Sequence, residues 1–479
     1  MLQKPKRFIA AACLALTAGA CSQLDTELSI QKPELPAEFS GYKDAGSSVR
    51  LAEIDWRDYF SDPQLIVLID AAVSNNPDLQ MALQRIEASR SSVKLANAAL
   101  LPKVDLAIGG GMRKFGQYTM DGAGNATTDI TPGNTVPEVL PDIFVGLQSS
   151  WEIDVWGKLR NQRSAAASSY LSSIDAANFV ISNLVADVAI YYNELLALDH
   201  ELDIIRATIR KEQEALDVIK WQKEAGRANE LAVQQFQAEV LNTQVSEKNA
   251  LQHITEIENK INFLLGRYPQ PIPRSKEVFF VEPNHRLAAG VPSQLLENRP
   301  DIRAAEFDIQ ASQFDLQAAK AAFYPNVNIT ATFGFQAFDP EFLFQSPASL
   351  AYSVFGQLIT PLVNKNALEA RFNTAKATQL TAMYNYQKTI LNAYVEVANQ
   401  LSNLKNLQQV SALKRQQSDA LRHSVEVSNE LYKAAKATYL EVLYAQQSAL
   451  RSNLELINAT KQRHVAGINL YKALGGGWQ

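Results

Sequence analysis

A long internal repeat is the feature that most constrains how this chain of 479 residues can fold. Residues 432–447 read YKAAKATYLEVLYAQQ, and residues 223–238 read KEAGRANELAVQQFQA. The segments share one offset (435 − 226 = 209), which persists without a gap over about 40 residues. The residues paired by it include Gly226 with Ala435, Leu231 with Leu440, Val233 with Val442, and Gly266 with Gly475. Such a repeat indicates that the chain folds as two copies of one plan.

A second pair of matches extends the repeat toward the N-terminus. Asn75–Leu79 matches Asn298–Ile302 at an offset of 223 (298 − 75). Ala98–Pro102 and Ala321–Pro325 are paired by the same offset. The two offsets differ by 14 (223 − 209), so the first copy has about 14 extra residues. This insertion lies within the Gly-, Thr- and Pro-rich residues 112–141. Its position between two predicted strands indicates a loop, and its role stays open.

Charge and hydropathy argue against two classes of protein. The formal net charge is −5 and no long basic block is present, so nothing indicates nucleic-acid binding. Apolar residues make up 47% of the chain, yet no mature segment is continuously apolar over the length of a membrane-spanning helix. A transmembrane helix is therefore not expected. A transmembrane β-barrel stays open, because its signal per strand is weak.

Residues 1–20 have the pattern of a bacterial lipoprotein signal peptide. A basic segment precedes an apolar one, and Ala18-Gly19-Ala20 stands directly before Cys21. Cleavage leaves Cys21 as the only thiol, because Cys13 is removed with the peptide, and one thiol cannot form an internal disulfide. We therefore predict that Cys21 is lipidated, with acyl chains such as palmitate as the anchor. Ordinary secretory cleavage that leaves a free thiol is the alternative.

The segment after the signal peptide, residues 21–60, is predicted to be a lipidated tether. It is polar and irregular, and it contains Pro33 and Pro36. Ser22 stands where an Asp would resemble a signal for retention in the inner membrane. Its presence favours the outer membrane as the location of the anchor.

Two regions change from a helical to an alternating pattern, which predicts a pair of β-strands in each copy. They lie at about 102–152 and 325–360, with Pro102 and Pro325 at their entrances. One face is apolar and the other small or polar, and each run has about the ten residues of a membrane-spanning strand. The apolar positions include Val104, Leu106, Ile108, Ile143, Val145, Leu147, Trp151, Val327, Ile329, Ala331, Phe333 and Phe335. A soluble four-stranded sheet is the alternative.

The strongest pattern predicts two long antiparallel coiled-coil hairpins, at about 157–265 and 364–474. In the first, fourteen positions from Ile174 to Ile219 follow 3-4 spacing, and twelve of them are large and apolar or aromatic. Ala177 and Glu212 are the two exceptions. The first helix of this hairpin contains no Pro and no internal Gly, and at about 1.5 Å per residue it would extend roughly 100 Å.

Four strands cannot close a membrane barrel, and an open edge in lipid would leave backbone groups unpaired. Strands that span a membrane would therefore require several copies of the chain. Two copies would give an eight-stranded barrel, and side chains would fill its interior. Three copies would give twelve strands and a lumen, with polar strand positions facing water and apolar ones facing lipid.

The predicted plan is mainly α with a small β part. A first repeat at 61–270 and a second repeat at 292–474 are joined by a linker at 271–291. A short tail at 475–479 follows the second repeat.

The ordered motifs over roughly residues 50–475 resemble the TolC-like outer membrane factors, and within them the lipoprotein (NodT/OprM-like) branch of drug-efflux outlets. These motifs are Pro-Asp-Leu or Pro-Asp-Ile at helix starts, Pro-x-Val at strand entrances, WEIDVWGKL at 151–159 and YLEVLYAQQ at 439–447. The resemblance implies the tandem-repeat fold of that family, with four transmembrane β-strands per chain. Three chains would close a trimeric 12-stranded β-barrel on a periplasmic α-barrel.

The resemblance also implies a function and partners. The trimer would be the passive exit duct of a tripartite efflux pump for drugs or other small molecules. An inner-membrane transporter would supply the energy, and a periplasmic adaptor (membrane fusion) protein would dock on the helical tips. An outlet for secreted proteins is one alternative. A structural coiled-coil lipoprotein without a channel is another, although it would not need four amphipathic strands.

The turns of the two hairpins are the candidate docking sites. By resemblance, the adaptor-docking residues are Gly226, Arg227 and Leu231 in the first repeat and Ala435, Lys436, Thr438 and Leu440 in the second. The family usually has Gly at these turns, so Ala435 predicts a second turn that is tighter, shifted or strained. Ordinary turns with a solvated surface are the alternative.

The resemblance places the periplasmic aperture at Glu441 and Tyr444. Three copies of Glu441 around a narrow opening would repel one another, attract cations and raise one another's pKa, while Tyr444 would narrow the opening. The first-repeat equivalent of Glu441 is Ala232, so only one acidic ring is predicted. A solvated charge beside the coiled-coil seam is the alternative for Glu441.

No pattern of catalytic or metal-binding residues is present. The five histidines are scattered, neither HExxH nor CxxC occurs, and Gly109-Gly110-Gly111 lacks the Lys of a phosphate-binding loop. We therefore expect no enzyme activity, no cofactor and no metal site.

Overall fold

A computed structural model describes residues 35–39, 51–280, 290–361, 363 and 365–479 of the chain. The signal peptide, Cys21 and most of the predicted tether lie outside these residues. The chain divides into two compact units. The sheet unit contains described residues within 88–170 and 307–383, and the helical unit contains those within 35–87, 171–306 and 384–479.

Most described residues belong to helices, and the long ones match the predicted hairpins. The helices are α1 (Trp56–Tyr59), α2 (Pro63–Asn75), α3 (Pro77–Ala98), α4 (Met120–Asn125), α5 (Lys158–Glu224), α6 (Glu230–Leu264), α7 (Leu295–Asn298), α8 (Pro300–Ala321), α9 (Lys365–Lys433) and α10 (Tyr439–Ala473). Short 3₁₀ helices cover Leu51–Glu53, Lys276–Phe280, Pro292–Gln294 and Pro340–Phe342. Helices α5 and α6 form the first hairpin, and α9 and α10 form the second.

The predicted strand pairs are present in both repeats. The strands are β1 (Lys103–Lys114), β2 (Asp129–Thr131), β3 (Asn134–Thr135), β4 (Val139–Ile153), β5 (Asn326–Ala337) and β6 (Leu350–Ile359). Strands β1, β4, β5 and β6 form one antiparallel sheet in that order. Helix α4 and the small β2–β3 pair form the inserted segment between β1 and β4.

The register of the sheet places the predicted apolar residues on a single face. Leu106 lies opposite Leu147, which lies opposite Phe333, which in turn lies opposite Tyr352. This face is exposed within one chain, and Ile108 has an exposed fraction of 75%. The opposite face is mostly small or polar, with Phe144 and Phe355 as large apolar exceptions. Thr332 Oγ1 and Ser353 Oγ share a hydrogen bond of 2.7 Å there. A sheet with one bare apolar face needs a covering environment outside the chain.

Two glycines set the spacing at the centre of this sheet. Gly146 and Gly334 lie directly opposite each other on β4 and β5. A Cβ atom on Gly146 would lie 2.5 Å from the Phe333 carbonyl oxygen and 2.6 Å from the Gly334 Cα atom. The ring of Phe144 occupies the adjoining space, with its Cζ atom 2.8 Å from that position. The close contact therefore requires glycine on this strand.

The 3-4 pattern of α5 corresponds to a buried seam in the helical unit. Most of the fourteen positions from Ile174 to Ile219 are buried, among them Val188 and Leu195. Among the described helices, α5 alone has a stretch apolar and long enough to cross a membrane by length and composition. Core helices pass the same test, and 44% of that stretch is buried within the structure.

Equivalent contacts in the two repeats show the duplication in three dimensions. Asn76 Nδ2 donates to the Leu264 carbonyl (2.9 Å), and Arg299 Nη1 donates to the Ala473 carbonyl (2.7 Å). The donors are related by the offset of 223 and the acceptors by the offset of 209. Each contact joins the start of a short helix to the last turn of a returning hairpin helix, and so fixes the base of each hairpin.

The end of the predicted tether differs from the expectation of an irregular polar segment. Residues 51–60 form a 3₁₀ helix and α1, and they bury Leu51, Trp56 and Phe60 in the helical unit. Phe39 is buried as well and stacks on Tyr394. The segment is polar on average, but a few large apolar side chains suffice to anchor it.

Candidate functional site

The first hairpin turn ends α5 with a left-handed glycine. Gly226 has φ +70°, and the Arg227 amide donates to the Gln222 carbonyl at 2.7 Å. The Gly226 amide donates to the Lys223 carbonyl at 2.9 Å, which completes a Schellman motif. Asn229 then caps α6, because its side chain accepts a hydrogen bond of 2.9 Å from the Ala232 amide.

The second hairpin turn repeats this geometry with an alanine at the left-handed position. Ala435 has φ +57° and is the only non-glycine residue with positive φ in the described chain. Its amide donates to the Tyr432 carbonyl (3.0 Å), and the Lys436 amide donates to the Leu431 carbonyl (2.8 Å). The turn is therefore neither tighter nor shifted. It is strained, the third predicted outcome, because the Cβ atom of Ala435 makes the left-handed backbone unfavourable.

The residues predicted to dock a partner lie together on the surface of the two turns. Gly226, Arg227, Ala435, Lys436 and Thr438 are exposed. The exposed apolar side chains beside them are Leu231, with an exposed fraction of 58%, and Leu440, with 38%. Exposed leucines next to cationic side chains provide both apolar and charged contacts for a partner.

A buried cluster beneath the turns joins the two hairpins; we call it the tip cluster. Leu216 and Ile219 come from α5, Leu443 comes from α10, and α6 contributes the remaining core residues. Tyr432 and Tyr439 pack against the cluster from the second repeat. The α6 members are Ala232, Val233, Phe236 and Val240. The two turns therefore rest on one shared apolar core within the helical unit.

Glu441 caps the helix on which it lies. Its Oε2 atom accepts hydrogen bonds from the backbone amide of Thr438 (2.5 Å) and from the Thr438 hydroxyl (3.0 Å). This is the glutamate half of a capping box at the start of α10. Both bonds favour the charged form and lower the pKa of Glu441. The rise predicted from mutual repulsion requires three copies, and within one chain the shift has the opposite direction.

The two predicted aperture residues are both exposed, unlike their counterpart in the first repeat. Ala232 occupies the position equivalent to Glu441 and is fully buried in the tip cluster. Tyr444 has an exposed fraction of 67%. The repeats therefore use this position differently: one fills the core, and the other presents a carboxylate to solvent.

The strand-entry prolines lie beside tryptophan anchors. Pro102 directly precedes β1, and Trp151 Nε1 donates to the neighbouring Leu100 carbonyl at 3.0 Å. Pro325 directly precedes β5, and its carbonyl accepts a hydrogen bond of 2.8 Å from Trp156 Nε1. Both indole groups belong to the WEIDVWGKL segment, so this motif fixes the entrances to both strand pairs.

Sequence reasoning missed the side chains that connect the repeats. Gln447 Nε2 donates to Glu239 Oε2 at 2.6 Å, which links α10 to α6. Periodicity identifies which residues are buried but not which helices they face. Hydrogen bonds between helices of different repeats therefore cannot be predicted from a single sequence. One further residue did stand out in the sequence, because Glu212 is a charged exception in the predicted apolar seam of α5. The described residues contain no group of three or more His, Cys, Asp or Glu side chains placed to hold a metal ion.

Comparisons with known proteins bear on the whole chain. The model of the outer membrane efflux protein family matches residues 68–267 and 291–476. The outer membrane protein OprJ of Pseudomonas aeruginosa is 30% identical over 488 aligned positions, which cover 100% of this chain and 97% of OprJ. The cation efflux system protein CusC of Escherichia coli O6:H1 is 29% identical over 475 positions, which cover 98% of both chains.

Solved structures agree with the family match. A crystal structure of CusC superposes with a TM-score of 0.80 at 27% identity, covering 93% of this chain and 98% of CusC. That study concerned folding and transmembrane channel formation in CusC. The similarity confirms the predicted fold class, in which long helical hairpins accompany a small set of strands.

Proposed function

Because this chain belongs to the outer membrane efflux protein family, we propose that it is the outer membrane exit channel of a tripartite pump that exports small molecules. The family consists of efflux proteins rather than enzymes. Curated relatives carry out cation, solvent and toluene efflux. The shared function is export across the outer membrane, while the cargo differs among relatives. Small molecules are the substrate class proposed here.

The observation that carries the proposal is the incomplete sheet. Its edge strands β1 and β6 are paired on one side only, and its apolar face is exposed. Unpaired strand edges are not tolerated in the hydrocarbon core of a membrane. Pairing β1 of one copy with β6 of the next removes every edge, and three copies give twelve strands. The apolar face then contacts lipid, and the face with Thr332 and Ser353 lines the lumen.

The proposed partners follow from the two hairpin turns of the helical unit. The turns at Gly226 and Ala435 present exposed leucine and cationic side chains above the tip cluster. In the proposed assembly this surface contacts a periplasmic adaptor protein, which connects the channel to an inner-membrane transporter. Cys21, when lipidated, adds a second attachment to the outer membrane.

Cysteine cross-linking across the sheet edges tests this assembly. Leu106→Cys on β1 would be combined in one chain with Tyr352→Cys, Val354→Cys or Leu358→Cys on β6, because these positions share a face. We expect oxidation in outer membranes to give covalent products that end at three chains. The matched control, Leu147→Cys with Phe333→Cys, joins paired positions of one chain and should give monomers only. Products that end at two chains, or monomers from every β1–β6 pair, would contradict the proposal.

A further inference from the structure

Glu212 is a carboxylate inside an apolar seam. It lies on α5 one turn before Leu216 of the tip cluster, and its exposed fraction is 1%. The equivalent position in the second repeat is occupied by Leu421 (421 − 209 = 212). The seam geometry therefore accepts an apolar side chain here, and the first repeat carries an acid instead.

The surroundings of Glu212 supply no compensating charge. Neither Oε1 nor Oε2 has a hydrogen-bond partner of good geometry, and the nearby Thr243 hydroxyl on α6 has none either. Glu239, also on α6, is the charged group that faces it. From α10, the neutral Gln447 donates to Glu239. In the described part of the chain, no Lys, Arg or His forms an ion pair with Glu212.

A buried carboxylate without a cationic partner is costly when it is charged, so the neutral form is favoured. Burial raises the pKa of Glu212 to about 7, the Thr243 hydroxyl opposes this rise, and the Glu239 carboxylate adds to it. Near neutral pH, both forms of the side chain are therefore populated: the neutral acid, which is stable in the apolar seam, and the carboxylate, which is not.

We propose that Glu212 is a proton-operated switch in the first hairpin, which keeps α5 packed on α6 when neutral and loosens the hairpin when ionised. Its position links the switch to the turns. Leu216, one turn further along α5, contacts the core that also contains Leu443 of the second repeat. Loss of the proton therefore loosens the base of the tip cluster, and acidification tightens it.

The sign of the pH dependence follows from the difference between the packed and open states. The open hairpin exposes Glu212, which then has a pKa near the ordinary glutamate value of 4.5, whereas the packed hairpin holds its proton up to about pH 7. The packed state binds more protons across this window, so its stability falls as the pH rises through it. With these two pKa values, local opening becomes about 30-fold more frequent between about pH 5.5 and 8.5.

Hydrogen exchange of the purified full-length protein tests the switch. Amide protection factors, which are corrected for the intrinsic pH dependence of exchange, would be measured for residues 205–219 and 236–247. We expect protection in the unmodified protein to fall about 30-fold between about pH 5.5 and 8.5. Glu212→Gln should remove this dependence. Glu214→Gln, which alters an exposed glutamate on the same helix, should retain it.

Glu212→Leu provides a second variant, because leucine occupies the equivalent position in the second repeat. It should hold high protection at every pH, even if the glutamine variant fails to fold. Constant protection in the unmodified protein between about pH 5.5 and 8.5 would overturn the proposal without any variant. The proposal would equally be overturned if the pH dependence persisted in Glu212→Leu. Neither result depends on ion conduction or on the number of chains in the assembly.

Discussion

The Tyr432 hydroxyl donates a hydrogen bond to the side-chain oxygen of Gln222, and so joins the last turn of α9 to the last turn of α5. The two residues belong to different repeats and lie just before the two hairpin turns. Burial raises the pKa of Tyr432, with the Gln222 bond opposing the rise, so the hydroxyl stays protonated near neutral pH. This bond and the tip cluster hold the two turns together.

Removing the hydroxyl should therefore loosen the turns. Tyr432→Phe keeps the ring against the tip cluster and deletes only the hydrogen bond, whose net contribution is about 1 kcal/mol. We expect about fivefold faster hydrogen exchange at residues 222–229 and 431–438. Tyr268→Phe, at an exposed tyrosine of the helical unit, should leave exchange unchanged. Equal exchange in Tyr432→Phe and the unmodified protein would mean that the bond does not restrain the turns.

Replacing Ala435, which has a left-handed backbone, by glycine should stabilise the second turn. A left-handed backbone costs an alanine about 1 kcal/mol more than a glycine. The position equivalent to Ala435 is already glycine, and it has the same turn geometry. We expect Ala435→Gly to slow local opening of the second turn, measured by hydrogen exchange at residues 431–438. Gly226→Ala is the reciprocal control and should speed opening of the first turn, because a Cβ there meets no atom within 4 Å and only φ penalises it. Faster opening of the second turn in Ala435→Gly would contradict this expectation. It would mean that the added backbone entropy of glycine outweighs the relief of strain.

Two substitutions separate the capping role of Glu441 from its predicted role in the aperture. Glu441→Gln removes the charge but retains an oxygen that can accept from the Thr438 amide, whereas Glu441→Ala removes both. We expect both variants to lose cation preference in bilayer recordings and only alanine to fray the start of α10. A glutamine variant with unchanged ion selectivity would leave Glu441 with the capping role alone.

The lowered pKa of Glu441 also predicts a pH dependence. A carboxylate with a depressed pKa keeps its charge to lower pH than an ordinary glutamate, whose pKa is 4.5. Its capping contribution is therefore complete above that value and is lost as the pH falls through the lower folded value. Cation preference, measured by reversal potential, should persist at about pH 4.5. If three copies raise one another's pKa instead, the preference will disappear above that pH.

The close contact between Gly146 and Gly334 predicts a sharp effect of one methyl group. Gly146→Ala places a Cβ against the backbone of β5, which cannot move without disturbing the sheet. We expect failure to assemble, measured as the loss of the trimer band on unheated gels. Gly109→Ala on β1 is the matched control, since its Cβ meets no atom within 4 Å, and it should assemble normally. Normal assembly of Gly146→Ala would mean that β4 and β5 can separate locally.

Much of the fold could be predicted from the sequence because the pattern of each main helix and strand occurs twice, once in each repeat. The offsets of 209 and 223 identified the hairpins, and in the structure they relate Asn76 to Arg299 and Leu264 to Ala473. Alternation along the strands predicted the apolar face of the sheet. Long elements with strict periodicity carry this information locally.

Tertiary contacts between the repeats could not be predicted in the same way. The Tyr432–Gln222 bond and the tip cluster depend on which helices are neighbours, and periodicity identifies only a buried face. The ordered end of the tether depends on a few side chains such as Trp56 within a polar segment. At the start of α10, Thr438 and the glutamate three residues later match the sequence pattern of a capping box, whereas the resemblance predicted only a pore role for Glu441.

Single-channel recording in planar bilayers tests the central claim most directly. Purified trimer of the unmodified protein and of Tyr432→Phe would be recorded side by side, with insertion verified separately. We predict discrete current steps with cation preference, and more frequent or larger steps when the turns are loosened. Inserted trimers of both proteins that pass no current would contradict an export channel and would favour a structural lipoprotein of the outer membrane.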